Sequence, residues 1–194
     1  MSKYDPELYQ ERYRIKSNRI PGYDYSTPGD YFITICTQNM VECFGQVINN
    51  KMVLNKYGRI VKQNLLNTTK HFNNVLLDEY MVMPNHIHVI FTIVADLNER
   101  QHNRTRNRRD VACNVSTVNN HYAKISPRRG SLSVIVRSFK SACTKQIHEL
   151  GYSDFAWQTN YYEHIIRNEK SLNRIREYIK NNPANWVGDR NKIY

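Results

Sequence analysis

Acidic residues are scarce in this 194-residue chain: 17 Asp and Glu stand against 28 Lys and Arg, giving a formal net charge of +11. A positive excess of that size favours a polyanionic partner such as nucleic acid, because the summed field attracts and holds opposite charge. Cysteine is equally sparse, and Cys36, Cys43, Cys113 and Cys143 form no C-x-x-C pair. That excludes a zinc-ribbon or thioredoxin-type motif and leaves reduced thiols as the expectation. No apolar run approaches the ~18 residues that a membrane-spanning helix needs. The opening MSKYDPELYQERYRIK has no apolar secretory core, so a cytoplasmic address is expected. No internal repeat is visible.

What is present suits one folded domain over 1–194. Hydrophobic residues make up 40% and aromatic residues 11%, while a mean hydropathy of -0.69 indicates a polar surface. A chain of this length buries roughly 70% of its unfolded surface. Residues 1–30 are polar, basic and tyrosine-rich and read as an N-terminal arm, largely extended or a short helix. YFITICT (31–37) is a strand, and Asn49-Asn50 between short apolar runs predicts a hairpin. Apolar spacing predicts a helix over 56–71, stopped at Asn73-Asn74.

VLLDEYMVM (75–83) and HIHVIFTIV (86–94) read as paired antiparallel strands around Pro84 and Asn85. Residues 95–130 carry ERQHNRTRNRRD and little periodicity, the pattern of a flexible insertion loop. His102, Cys113 and His121 within it match no metal-ligand spacing. SLSVIVRSFKSACTKQIHEL (131–150) is a helix that Ser131 can cap. WQTNYYEHIIR (157–167) reads as a strand, and 168–182 as a closing helix that stops before Pro183. Strand pairs alternating with helices predict an α+β fold, an antiparallel sheet with helices packed on one face.

His86 and His88 alternate with apolar Ile87, Val89, Phe91 and Ile93. On a strand the two imidazoles share a face, their Cα atoms about 6.6 Å apart, whereas on a helix they diverge by roughly 200°. Seven histidines in 194 positions give roughly 0.25 chance H-x-H occurrences, so the motif alone is weak. Convergent metal ligands and hydrogen-bonded structural histidines both remain open. On the closing helix Tyr178 and Asn182 stand one turn apart on the flank of the stripe Leu172, Ile175 and Ile179. A phenol there could be a nucleophile and an amide oxygen a ligand. An amphipathic filler with its hydroxyl in water is the alternative.

GYDYSTPGDYFITICT (22–37), DEYMVMPNHIHVI (78–90), RSFKSACTK (137–145), WQTNYYEHIIRNE (157–169) and REYIKNNPANW (176–186) together resemble the single-tyrosine HUH transposases. In particular they resemble the REP-associated tyrosine transposases, a bacterial family. The resemblance runs over most of the chain and departs from the family mainly at 95–130. It implies a ferredoxin-like fold whose central strand carries the histidine pair and whose C-terminal helix carries the tyrosine. By position, His86, His88 and Asn182 match the family's ligands for a divalent ion, Mg²⁺ or Mn²⁺, and Tyr178 matches its nucleophile. His164 is a rival third ligand.

The implied activity is cleavage and rejoining of single-stranded DNA beside a REP-like hairpin through a 5′-phosphotyrosine. Arg14, Lys16, Arg19, Arg137 and Lys140 are candidate backbone contacts, with Arg104, Arg106, Arg108 and Arg109 adding diffuse attraction. A monomer with no protein partner is expected, an exchanged-helix dimer being the alternative. A non-catalytic RRM-like module and a metal-dependent hydrolytic nuclease are the rival functions.

Overall fold

A computed structural model of the chain describes residues 8–9, 12–13, 19–95, 128 and 130–188. Arg14, Lys16 and nearly all of the basic stretch 95–130, with Arg104, Arg106, Arg108 and Arg109, lie outside the described residues. In the arm, β1 (Leu8–Tyr9) and β2 (Arg12–Tyr13) pair antiparallel.

Four longer strands form the central sheet: β3 (Gly29–Cys36), β6 (Val75–Val82), β7 (His86–Ile93) and β8 (Tyr162–Ile166). Helix α1 (Lys56–His71) joins β3 to β6, and α2 (Leu132–Glu149) precedes β8. The spatial order is β6-β7-β3-β8 with every pair antiparallel. This βαββαβ order is the ferredoxin-like arrangement. Helix α3 (Glu169–Asn181) follows β8.

Local chemistry accounts for the boundaries. The hairpin of β4 (Gly45–Ile48) and β5 (Lys51–Leu54) turns at Asn49 and Asn50, with φ of 48° and 60°, the twin left-handed residues of a type I′ turn. Asn55 caps α1 by accepting from Tyr57 N and Gly58 N at 2.9 and 3.0 Å. A side chain at Gly58 would meet Phe44 O at 2.1 Å, so glycine lets the hairpin lie directly on the helix.

Three expectations need correction. Ser131 occupies the N-cap of α2 but makes no side-chain capping bond; its hydroxyl is buried, and Leu132 N donates to Tyr25 O instead. The strand expected over 157–167 is confined to 162–166. Before it, Trp157 makes a single bridge to Thr37, and Lys140 Nζ draws the carbonyls of Gln158 and Asn160 to 2.6 and 3.1 Å. The helices also divide between the faces. Ile33, Ile35, Ile87, Val89 and Phe91 pack with α1 and α2 in the main core, whereas Phe32, Ile90 and Ile166 on the other face pack with Leu172 and Ile179 of α3. The histidine face is itself partly apolar, so it also needs a cover. No helix among the described residues is long and apolar enough to cross a membrane.

Candidate active site

Strand alternation places His86 opposite Cys36 and His88 opposite Thr34, on the face that α3 covers. Both imidazoles are fully buried, where an isolated charge is costly and polar atoms need partners. Each Nδ1 has one: Asn85 Oδ1 at 2.8 Å for His86 and Thr34 Oγ1 at 2.8 Å for His88. The two Nε2 atoms then face one another at 3.1 Å. Trp186, in the short 3₁₀ turn after α3, lies with its ring 5.9 Å from that of His86.

Asn85 is itself held. Its Nδ2 donates to Met40 O at 3.0 Å, and Thr37 N and Oγ1 donate to its carbonyl at 2.9 and 3.0 Å. The turn that supplies Met40 O has φ of 54° at Asn39 and 55° at Met40. For a side chain such as methionine that conformation costs about 1–3 kcal/mol and persists only where neighbours hold it.

Tyr178 reaches the pair from above. Helix α3 begins with Asn168 accepting from Ser171 N at 2.8 Å and presents three stripes. The apolar one buries Leu172 and Ile179. On one flank Arg176 grips Asp78 with contacts of 3.0, 3.1 and 2.6 Å, and Lys180 lies 3.1 Å from Glu79. Those two acids stand side by side because the register of β6 against β7 shifts between Leu77 and Tyr80, a β-bulge. The opposite flank carries Tyr178 and Asn182. Tyr178 Oη is 3.2 Å from His88 Nε2, and its ring meets those of His88 and Phe32 at 5.2 and 6.2 Å. Tyr178 is 39% exposed, so solvent or a ligand reaches the phenol. Asn182 is 1% exposed at the C-cap of α3, one turn on.

The donor set fits a divalent cation. Two imidazoles converge through Nε2 while each Nδ1 is engaged by an oxygen, the outer-shell pattern that orients ligating histidines. Among the described residues no group of three His, Cys, Asp or Glu could hold a metal, so His164, exposed on β8, does not complete the pair. The amide of Asn182 is the third donor that the sequence offers. Such a neutral nitrogen and oxygen set suits Mn²⁺ better than Mg²⁺.

The proposed backbone contacts are dispersed. Arg19 donates to Ser133 Oγ and Tyr161 Oη, lies 3.9 Å from Glu163, and stacks on Tyr25 and Tyr161. That ties the arm to the face opposite the histidines, where Glu163 pairs in register with Ile33. Arg137 is exposed on α2. Lys140 is engaged by the 158–160 carbonyls, and burial pulls its ammonium down to about 8. Sequence reasoning missed Asn85, Thr34, Arg176 and Trp186. All four fall within the blocks 22–37, 78–90 and 176–186 that carry the family resemblance, the signal that could have found them.

No family model matches the sequence. An uncharacterised protein of Haemophilus influenzae is 37% identical over 191 residues, covering 97% of this chain and 96% of that one. The structure of a REP-associated tyrosine transposase bound to a REP hairpin superposes with a TM-score of 0.53 at 17% identity, covering 89% of this chain and 74% of that one. The chain therefore belongs to one family with the Haemophilus influenzae protein and has the fold of the REP-associated tyrosine transposase.

Proposed function

We propose that the protein is a DNA transposase of the single-tyrosine HUH type, which cleaves and rejoins single-stranded DNA beside a hairpin. The observation that carries this reading is the 3.2 Å approach of Tyr178 Oη to a buried histidine pair. A phenol has a pKa near 10 and is a weak nucleophile until it or its target is activated. A divalent ion bound by His86, His88 and Asn182 would act as a Lewis acid on a phosphodiester. Tyr178 Oη attacks phosphorus and gives its proton to solvent, and as the P–O3′ bond breaks the departing 3′-oxygen takes a proton from solvent. The products are a 5′-phosphotyrosine and a free 3′-hydroxyl. The ester retains the bond energy, so another strand's hydroxyl reverses the step and releases the phenol.

An unpaired strand is required because its phosphate must reach a phenol set against a sheet. The +11 charge suits such a partner, and the hairpin bound by the structural neighbour suggests the element beside the cut. Tyr178 Oη reaches His88 Nε2 within one copy of the chain, so the reading needs no exchanged helix and is compatible with action as a monomer. An RRM-like reading needs exposed aromatics on the central strands, but Phe91 is 1% exposed and packs in the core.

The test is incubation with a labelled hairpin-plus-tail oligonucleotide and Mn²⁺, resolved on a denaturing gel. A covalent adduct that Tyr178→Phe abolishes, with oligonucleotide binding kept, supports the reading. Free products without an adduct would indicate hydrolysis by water instead.

A further inference from the structure

The two histidines are held by partners of different chemical character. Asn85 has fixed roles: its Nδ2 is committed to Met40 O at 3.0 Å, and a carbonyl only accepts. The other end of the amide, Oδ1, therefore faces His86 Nδ1 at 2.8 Å, and since an amide oxygen only accepts, the imidazole must donate. His86 is thereby the Nδ1–H tautomer, with Nε2 bare toward His88. His88 Nδ1 meets Thr34 Oγ1 at 2.8 Å, and a hydroxyl can donate or accept.

We infer that Asn85 is a positioning residue that locks His86 with a bare Nε2, and that Thr34 lets His88 take either tautomer. With His88 protonated on Nε2, that N–H satisfies His86 Nε2 across the 3.1 Å gap while Thr34 donates to Nδ1. Rotation of the Thr34 hydroxyl and transfer of the proton to Nδ1 leave both Nε2 atoms without hydrogen, and the Tyr178 hydroxyl 3.2 Å away can then donate to that of His88. One ligand is preset and the other adjusts. This keeps the buried pair satisfied without a cation and ready for one, and it deepens the metal reading proposed above.

The experiment uses the full chain with ¹⁵N-labelled histidine, stripped with chelator, at a pH where the imidazoles are neutral. Nitrogen shifts and proton couplings identify which ring nitrogen carries hydrogen, and Mn²⁺ affinity is measured without DNA. His86 is expected with a protonated Nδ1 and a pyridine-like Nε2. Asn85→Asp keeps the acceptor but cannot donate to Met40 O; it should keep the tautomer and the affinity. Asn85→Leu should lose both, with Mn²⁺ bound 10–100-fold more weakly.

If Asn85 serves only to hold the 38–40 turn, Asp and Leu will behave alike, and that result overturns the inference. So does wild-type His86 protonated on Nε2, an observation that needs no variant to fold. The expected tautomer in a protein that binds no Mn²⁺ would support the positioning role and remove the metal reading alone.

Discussion

Arg176 closes on Asp78 with contacts of 2.6 to 3.1 Å, and this ion pair ties the helix that carries Tyr178 to β6. The anchor and the phenol project from opposite flanks of α3, so releasing the anchor is expected to loosen the phenol. Arg176 and Asp78 are 32% and 21% exposed, and a partly exposed pair of this kind is worth about 1 kcal/mol at most. Arg176→Ala should thus lower stability little. It should slow adduct formation about tenfold or more, since small misplacements of reacting groups are costly. Mn²⁺ affinity should fall as well, because Asn182 rides on the same flank of α3 as Tyr178. Single-turnover kinetics beside a urea titration separate the effects.

Gly58→Ala tests the contact between hairpin and helix. The added methyl would meet a backbone carbonyl at 2.1 Å, which cannot move like a side chain. Overpacking of this kind costs typically about 1–3 kcal/mol. A lowered denaturation midpoint with an unchanged slope is expected; an unchanged midpoint would mean that the hairpin does not rest on α1 in solution.

Lys140 predicts a pH dependence. Burial depresses its pKa from 10.5 to about 8, so between those values the unfolded chain holds a proton that the folded chain has released. Stability from this group therefore rises with pH across that window, and its penalty is fully present below pH 8. The stability difference between wild type and Lys140→Met should shift in favour of wild type from pH 8 to 10. A difference that stays flat would show the ammonium to be well solvated.

Much of the fold was legible because two periodicities carry it. Apolar spacing placed the helix at 56–71, where α1 lies, and two-residue alternation put His86 and His88 on one face with Ile87, Val89 and Phe91 on the other. Asn49-Asn50 announced its turn because only a few residues tolerate left-handed backbone at two successive positions. Less legible was anything set by distant partners. Tyr162 and Trp157 share a strand-like run, yet Lys140 bends the chain between them. The stacking of Arg19 on Tyr25 and Tyr161 was not legible, because it leaves no local pattern. The three stripes of α3 could be drawn from its sequence, but Arg176 gained meaning only from a bulge that sets Asp78 and Glu79 side by side. Asn85 was hidden in the same way, its role depending on a carbonyl forty-five residues away.

The most direct test is to map the covalent bond itself. After reaction with the hairpin oligonucleotide and Mn²⁺, the protein is digested with nuclease and protease and its peptides are sequenced by mass spectrometry. The account predicts a nucleotide 5′-phosphate esterified to Tyr178, absent from His86→Ala and His88→Ala. A phosphotyrosine on another of the chain's tyrosines, or cleavage that leaves every tyrosine unmodified, would contradict it.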